Sequence, residues 1–168
     1  MRRVLVVGPC GAGKSTFATA LAERLGLPLF HMDRLNWQPG WVESPPEILL
    51  GRIDEVVAQD RWVLEGTYGG SLDRRLPRAD TVILLDYPIA LCLWRLLRRI
   101  RQWRGRARPD MTPGCEERFD LAFFLYVARW RSGPGKRLEA RLAPHGDKVI
   151  RLTSQRETDA WFAALERG

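Results

Sequence analysis

The sequence predicts a three-layer α/β/α fold, with a five-stranded parallel sheet between helices. Three observations lead there. Short apolar runs, rich in β-branched residues, alternate with longer stretches of helical spacing, the pattern of parallel strands joined by right-handed crossovers. The first run ends in a glycine-rich loop, Gly8-Pro9-Cys10-Gly11-Ala12-Gly13-Lys14-Ser15, and a helical stretch follows at once. The chain has 168 residues, enough for one domain with a buried core.

The elements follow in order. Arg3 to Val7 is a buried strand, and Ser15 to Leu25 is a helix closed by Gly26. Leu29 to Met32 is the second strand. Residues 34–46 hold Trp37, Pro39, Gly40, Trp41, Pro45 and Pro46, which predicts an ordered loop. Pro46 to Gln59 has helical spacing, and Trp62 to Leu64 is the third strand. A short helix covers Ser71 to Leu76. Thr81 to Leu85 is the clearest strand, and Pro88 opens a long helix that reaches about Trp103. Gly105 to Gly114 is a mobile loop, Cys115 to Arg131 a helix, and Lys136 to Leu142 another. Lys148 to Leu152 is the fifth strand and Glu157 to Glu166 the last helix. The expected strand order is 2-3-1-4-5. There are no internal repeats.

No apolar run approaches the roughly 20 residues of a membrane helix, and the run from Val4 to Val7 is too short for a signal peptide. A cytoplasmic protein is expected. Cys10, Cys92 and Cys115 are far apart and form no CxxC pair, which predicts free thiols rather than a disulfide or metal framework. The net charge is +7 and has one source. Seven arginines (95, 98, 99, 101, 104, 106 and 108) occupy residues 95–108 without an acid, and 20 basic and 20 acidic residues balance elsewhere. Such a segment calls for a local anionic partner.

The glycine loop matches GxxxxGK[ST] completely, between a strand and a helix as the motif requires. Its glycines let backbone N–H groups turn inward around a phosphate, and the helix directs its positive end at the same anion. Gly8, Gly11, Ala12, Gly13, Lys14, Ser15 and Thr16 are therefore expected to hold ATP. Lys14 would reach the β- and γ-phosphates and Ser15 would ligate Mg2+.

Three carboxylates fall at strand carboxyl ends, where ligands bind in such sheets. Asp86 reads either as a Walker-B-type carboxylate near Mg2+ or as a cap for the helix that begins at Pro88. Glu65, followed by Gly66, reads as a holder of a metal-bound water, as a base, or as a surface residue. Asp33 reads as the group that accepts or orients an acceptor hydroxyl, or as a turn former. His31 reads as structural. Trp37 and Trp41 offer either core packing or a stacking surface. The arginine run fits a closing flap around a transferring phosphoryl group, or a contact to nucleic-acid phosphates.

These residues resemble the nucleotide-kinase-like P-loop kinases, the superfamily of adenylate kinase and shikimate kinase. Within it the chain is most similar to bacterial proteins labelled "DNA topology modulation protein". The shared features are the phosphate loop, His31-x-Asp33 with Trp37, Trp62-Val63-x-Glu65-Gly66-x-Tyr68, Leu85-Asp86-x-Pro88, Gly114-Cys115, and Leu152 with Ser154. They span nearly the whole chain, though only the phosphate loop is highly specific alone.

The resemblance to adenylate kinase implies further roles. Arg95, seven residues beyond Pro88, would stack on adenine, and Arg99 would bind phosphate. Arg108, Asp110 and Arg118 resemble the lid triplet of that family, with the last interval one residue short. Glu65-Gly66 stands where the family has Asp-Gly near the metal, and Ser154 and Gln155 resemble the loop lining the adenine. The arginine that holds the AMP phosphate is missing at its place, where this chain has Gly66-Thr67-Tyr68-Gly69; Arg34, Arg74 and Arg75 are its possible replacements. Asp33 is similar to the shikimate kinase Asp that holds substrate hydroxyls.

The expectation is thus a monomeric MgATP-dependent kinase for a nucleotide, nucleoside or other small hydroxylated acceptor. Residues 104–118 would be the lid and residues 33–60 the acceptor-binding segment of a single domain. Lys14, Asp33, Arg95, Arg99, Arg108 and Arg118 would carry the chemistry, with Ser15 and Glu65 or Asp86 at the metal. The alternative is a nucleic-acid-associated ATP-binding protein. A binding-only switch is the third reading.

Overall fold

A computed structural model describes residues 1–167. Its strands are β1 (Arg3–Val7), β2 (Leu29–His31), β3 (Trp37–Gln38), β4 (Val42–Glu43), β5 (Trp62–Glu65), β6 (Thr81–Leu85) and β7 (Val149–Leu152). Five of them form a parallel sheet in the order β2-β5-β1-β6-β7. Counted within that sheet the order is the expected 2-3-1-4-5; the extra numbers belong to the antiparallel β3–β4 hairpin. The helices are α1 (Lys14–Leu25), α2 (Met32–Asn36), α3 (Pro46–Val57), α4 (Leu72–Arg75), α5 (Ile89–Trp103), α6 (Leu121–Ala128), α7 (Pro134–Leu142) and α8 (Gln155–Leu165).

Strand residues alternate between two cores. Leu5 and Val7 pack with Ile53 of α3, Leu72 of α4 and Leu138 of α7. Val4 and Val6 face the other way, onto Phe17 and Leu21 of α1, with Trp161 and Phe162 of α8 at the margin. Burying each such side chain contributes about 1.5–3 kcal/mol. The alternation also aims the strand-end carboxylates. On β5, Trp62 and Leu64 lie on the α3 side and Val63 on the α1 side, so Glu65 comes out on the α1 side. On β6, Ile83 and Leu85 lie on the α1 side and Leu84 on the α3 side, so Asp86 comes out opposite to Glu65.

Two segments differ from the sequence expectation. Residues 34–46 are not only a loop: α2 ends in them, and the β3–β4 hairpin turns at Gly40 with φ 80°. Trp37 and Trp41 meet edge to face across it, 5.3 Å between ring centroids. Two-residue strands are too short to show periodicity. The expected helix over Cys115 to Arg131 shrinks to α6, Leu121–Ala128. Ahead of it the backbone is extended, because Glu117 N–H donates to Arg106 O (3.0 Å) and Gly105 N–H to Glu117 O (3.2 Å). Asp120 then caps α6 by accepting from Phe123 N–H at 3.0 Å.

Among the described residues no helix is long and apolar enough to cross a membrane. Cys10, Cys92 and Cys115 are free thiols, as expected.

Candidate active site

The phosphate loop joins β1 to α1 above the carboxyl edge of the sheet. Gly8, Gly11 and Gly13 have φ of 142°, 82° and 90°, which a side chain would strain. Space forbids side chains too: a Cβ at Gly8 would lie 2.4 Å from Leu85 O, and one at Gly11 2.2 Å from Cys92 O. No side chain caps the start of α1, so its first N–H groups remain turned toward the loop. Lys14 Nζ donates to Pro9 O at 3.0 Å, which holds the ammonium inside the same cradle. Thr67 fixes the loop's origin: Gly8 N–H donates to its Oγ1 (3.0 Å), and that hydroxyl donates to Gly8 O (2.7 Å).

Of the two carboxylates expected near a metal, only Glu65 meets Ser15. Ser15 Oγ donates to Glu65 Oε1 at 3.0 Å, and His31 Nδ1 lies 3.1 Å from the same oxygen. A carboxylate accepts, so His31 holds the proton on Nδ1 and fixes the orientation of Glu65. His31, read from sequence as structural, is an orienting neighbour of the site. Glu65 is buried. Asp86 points to the opposite face, where Arg151 Nη1 (2.6 Å) and Arg131 Nη2 (3.5 Å) hold it. The alternation along β6 turns Asp86 away from Ser15. The pair Ser15 and Glu65 suits Mg2+, which takes hard oxygen donors, few of them from protein. Among the described residues no cluster of three His, Cys, Asp or Glu could hold a metal by itself.

Asp33 lies on α2 across the same cleft. Tyr68 OH donates to Asp33 Oδ1 at 2.8 Å, and Arg108 Nη2 stands 3.8 Å from Oδ2. The confined cleft and the neighbouring Glu65 charge raise the Asp33 pKa above its ordinary value, while Tyr68, Arg108 and Lys14 pull it back. About a third of the side chain, 35%, remains open to the cleft. Burial and the Asp33 charge raise the Tyr68 pKa, so its phenol stays protonated and donating.

The arginine run divides. Arg95 leans over the Tyr87 ring, 5.2 Å from its centroid, and donates to Ala12 O and Gln155 Oε1, each at 3.3 Å. Arg99 Nη1 approaches Cys10 Sγ (3.4 Å), and Nη2 donates to Glu117 Oε1 (3.0 Å). Arg108 donates to Asp110 Oδ2 at 2.7 Å, and its Nε lies 2.8 Å from Glu117 Oε2, a charge contact too far out of line for a hydrogen bond. Buried Glu117 thus stands between two guanidinium groups. Burial works against ionisation of Asp110, but Arg108 and the Ser15 hydroxyl outweigh it and hold its carboxyl below the ordinary range. Arg118 is exposed at the rim; Arg98, Arg101, Arg104 and Arg106 are exposed and outside the cleft wall, and Arg101 and Arg104 line a neighbouring pocket with Arg118 and Trp41.

A cleft of about 1470 Å³ gathers most of the expected site, including Gly8, Gly11 to Thr16, Asp33, Glu65, Arg95, Arg99, Arg108, Arg118 and Gln155. Asp86 and Ser154 are not in its wall; Ser154 Oγ caps α8 by accepting from Glu157 N–H at 3.2 Å. Sequence reasoning passed over Thr67, His31 as an orienting group, and Glu117. The signal for Glu117 was present, because Asp110, Glu116 and Glu117 are the first acids after the arginine run.

The proposed replacements for a phosphate-binding arginine are engaged elsewhere. Arg75 is fully buried and donates to Gly66 O (2.7 Å), Thr67 O (2.5 Å) and Tyr68 O (2.9 Å). Arg74 pairs with Asp54 at 2.5 Å, and Arg34 donates to Pro109 O.

Comparison with known proteins agrees with this layout. The family described as "ATPase family associated with various cellular activities (AAA)" matches residues 4–86, from β1 to the end of β6. That span holds the phosphate loop, Asp33 and Glu65, and leaves the arginine segment outside. A shikimate kinase from Acinetobacter baumannii, solved in complex with shikimate, is 17% identical with a TM-score of 0.62, covering 99% of this chain and 92% of that one. A shikimate kinase from Bacteroides thetaiotaomicron is 15% identical with a TM-score of 0.54, covering 99% and 96%. No curated protein matches by sequence. At such identities the structures establish a shared fold, the nucleotide-kinase-like P-loop fold.

Proposed function

We propose that this protein is an ATP-dependent small-molecule kinase, which transfers the γ-phosphoryl group of ATP to a hydroxyl of its acceptor. The observation that carries the reading is the approach of two half-sites within one cleft. Lys14, Ser15 and Glu65 lie on the donor side, Asp33 and Tyr68 on the acceptor side, and Arg108 contacts Asp33 between them.

The loop N–H groups and Lys14 hold the β- and γ-phosphates, and Arg95 with Gln155 borders the adenine position. Ser15 and Glu65 would hold Mg2+, directly or through water; bound there, the ion neutralises charge developing on the phosphates. Asp33 orients the acceptor hydroxyl and takes its proton as the oxygen bonds to the γ-phosphorus. The bond to the β–γ bridging oxygen breaks, and ADP leaves with that electron pair. Arg99, Arg108 and Arg118 stabilise the transferring group. Residues 104–118 form the lid and residues 33–60 the acceptor segment.

The test is ADP release with MgATP and a panel of hydroxylated compounds. Saturable acceleration over the water background by at least one compound is the expected result. A rate indifferent to every compound contradicts the reading.

The outward arginines favour a second reading. Arg98 lies over Trp94 (5.6 Å) and Arg106 over Trp103 (5.7 Å), a cationic and aromatic surface suited to nucleic-acid phosphates. Salt-dependent DNA binding would support it, and no binding at low salt would remove it.

A further inference from the structure

We infer that the acceptor is an uncharged, hydroxyl-bearing ring compound, of nucleoside or sugar-polyol type, and not a phosphate ester or a carboxylate. The inference rests on the kinase reading above and narrows its acceptor.

Charge at the acceptor end carries the first part. Asp33 and Glu43 line the cleft there, Asp110 and the donor-side Glu65 adjoin them, and the cation that contacts Asp33 is Arg108. Arg108 is already occupied by Asp110, Asp33 and Glu117. The other arginines of these elements are also engaged. Arg52 donates to Leu35 O (2.6 Å) and Ser44 Oγ (3.1 Å) beneath α2, and Arg34, Arg74 and Arg75 are committed as described. Of the lysines, Lys14 belongs to the phosphate loop and Lys148 donates to Leu76 O and Ala79 O. Lys136 lies on α7 and is not in the cleft wall. Arg118, exposed at the rim, is assigned above to the transferring group, so a second anionic group would enter an acidic end whose own arginines are already engaged, and burying an unpaired charge is strongly unfavourable. A hydroxyl meets the opposite situation. Asp33 accepts from it, Tyr68 OH sits at the same carboxylate, and the buried Asn36 adds an amide in the cleft wall.

Aromatic surface carries the second part. Trp37, Trp41 and Tyr68 line the acceptor end, so a planar base or the C–H face of a sugar has rings to rest on. Trp41 and Tyr68 are also the non-glycine residues with positive φ, 63° and 34°. Such backbone costs of order 1–3 kcal/mol at each residue and persists where the surroundings enforce it. Here they do: Trp41 Nε1 donates to Glu116 O (2.8 Å), while Arg75 and Ser71 N–H hold Tyr68 O. Two strained aromatic residues face one end of one cleft, and the fold holds both there.

The experiment measures ADP release with MgATP and matched acceptors: adenosine and cytidine, their 5′-monophosphates, myo-inositol, a neutral hexose and shikimate. Nucleotide binding to the full chain is followed separately by titration calorimetry. Acceleration by an uncharged member, with none from the monophosphates or shikimate, is the expected result. Comparison of the nucleosides with myo-inositol and the hexose separates base stacking from sugar recognition. Trp37→Ala should then raise KM for the active acceptor roughly tenfold with little change in KM for ATP, as loss of one stacking surface predicts. Nucleotide binding with acceleration only by anionic members, or by none, overturns the inference. Absence of nucleotide binding overturns the kinase reading itself.

Discussion

Ser15 and Glu65 meet across the cleft, with the serine hydroxyl 3.0 Å from Glu65 Oε1. They come from α1 and β5, 50 residues apart in sequence. The alternation of β5 turns Glu65 toward α1, and His31 holds it there at 3.1 Å. If this pair holds the metal, Glu65→Ala should raise the Mg2+ concentration that half-saturates phosphoryl transfer by about 10-fold or more. Asp86→Ala should leave that value near wild type, because Asp86 faces Arg151 and Arg131. Titration of activity with Mg2+ checks both, and the reverse pattern would contradict the assignment.

Asp33 predicts a pH profile. The cleft and Glu65 raise its pKa, so at acid pH the carboxyl is protonated and cannot take a proton. kcat/KM should rise with pH through an acid limb centred above about 4, the ordinary carboxylate value. Tyr68 donates to the ionised form and lowers the pKa, so Tyr68→Phe should move the limb to higher pH. Asp33→Asn should lower kcat by about 100-fold or more and remove the limb. A limb unchanged in both variants would exclude Asp33 as the base.

Arg75 predicts a stability effect. Its guanidinium is buried without a carboxylate and satisfies three carbonyls of residues 66–68. Burial lowers its pKa, which marks the cost of keeping the charge there. Arg75→Ala takes the side-chain donor from Gly66 O and Thr67 O, while Tyr68 O keeps Ser71, and should cost about 3 kcal/mol. That corresponds to a Tm about 6–12 °C lower by thermal denaturation. An unchanged Tm would mean that the Gly66–Tyr68 backbone does not depend on this residue.

Glu117 predicts a ligand effect. It separates Arg99 and Arg108, both largely buried. Glu117→Gln leaves Arg99 without its carboxylate and Arg108 with Asp110 and Asp33 alone, and should destabilise the fold by about 3 kcal/mol. Phosphate oxygens would restore the missing charge, so MgATP should raise the Tm of the variant by more than that of wild type. Equal shifts would contradict a shared place for Glu117 and the phosphates.

Much of this was legible in the sequence. Strands of the sheet and the phosphate loop are local signals: alternating apolar runs, and glycines at fixed offsets. Arg95 and Arg99 were singled out by their offsets from Pro88 in the resemblance to adenylate kinase; helix spacing alone also put Arg98 on their face, and Arg98 is exposed. Which strand-end carboxylate faces Ser15 was not legible, since Glu65 and Asp86 both end strands, and only the parity of buried residues along β5 and β6 separates them. The β3–β4 hairpin escaped because its strands have two residues each. The helix expected from Cys115 began late because Glu117 pairs with the backbone near Arg106, a contact the local sequence does not announce. Tyr68 on Asp33 and Arg75 beneath Tyr68 depend on tertiary approach alone.

Lys14 offers the most direct measurement. Single-turnover transfer of the γ-phosphoryl group from MgATP to the active acceptor should fall by roughly 100-fold or more in Lys14→Ala, because charge stabilisation and positioning supply most of the catalysis. The variant should keep its fold, since the half-buried Lys14 side chain makes only a 3.0 Å hydrogen bond to Pro9 O within its own loop. A folded Lys14→Ala protein that transfers phosphate at the wild-type rate would contradict the account.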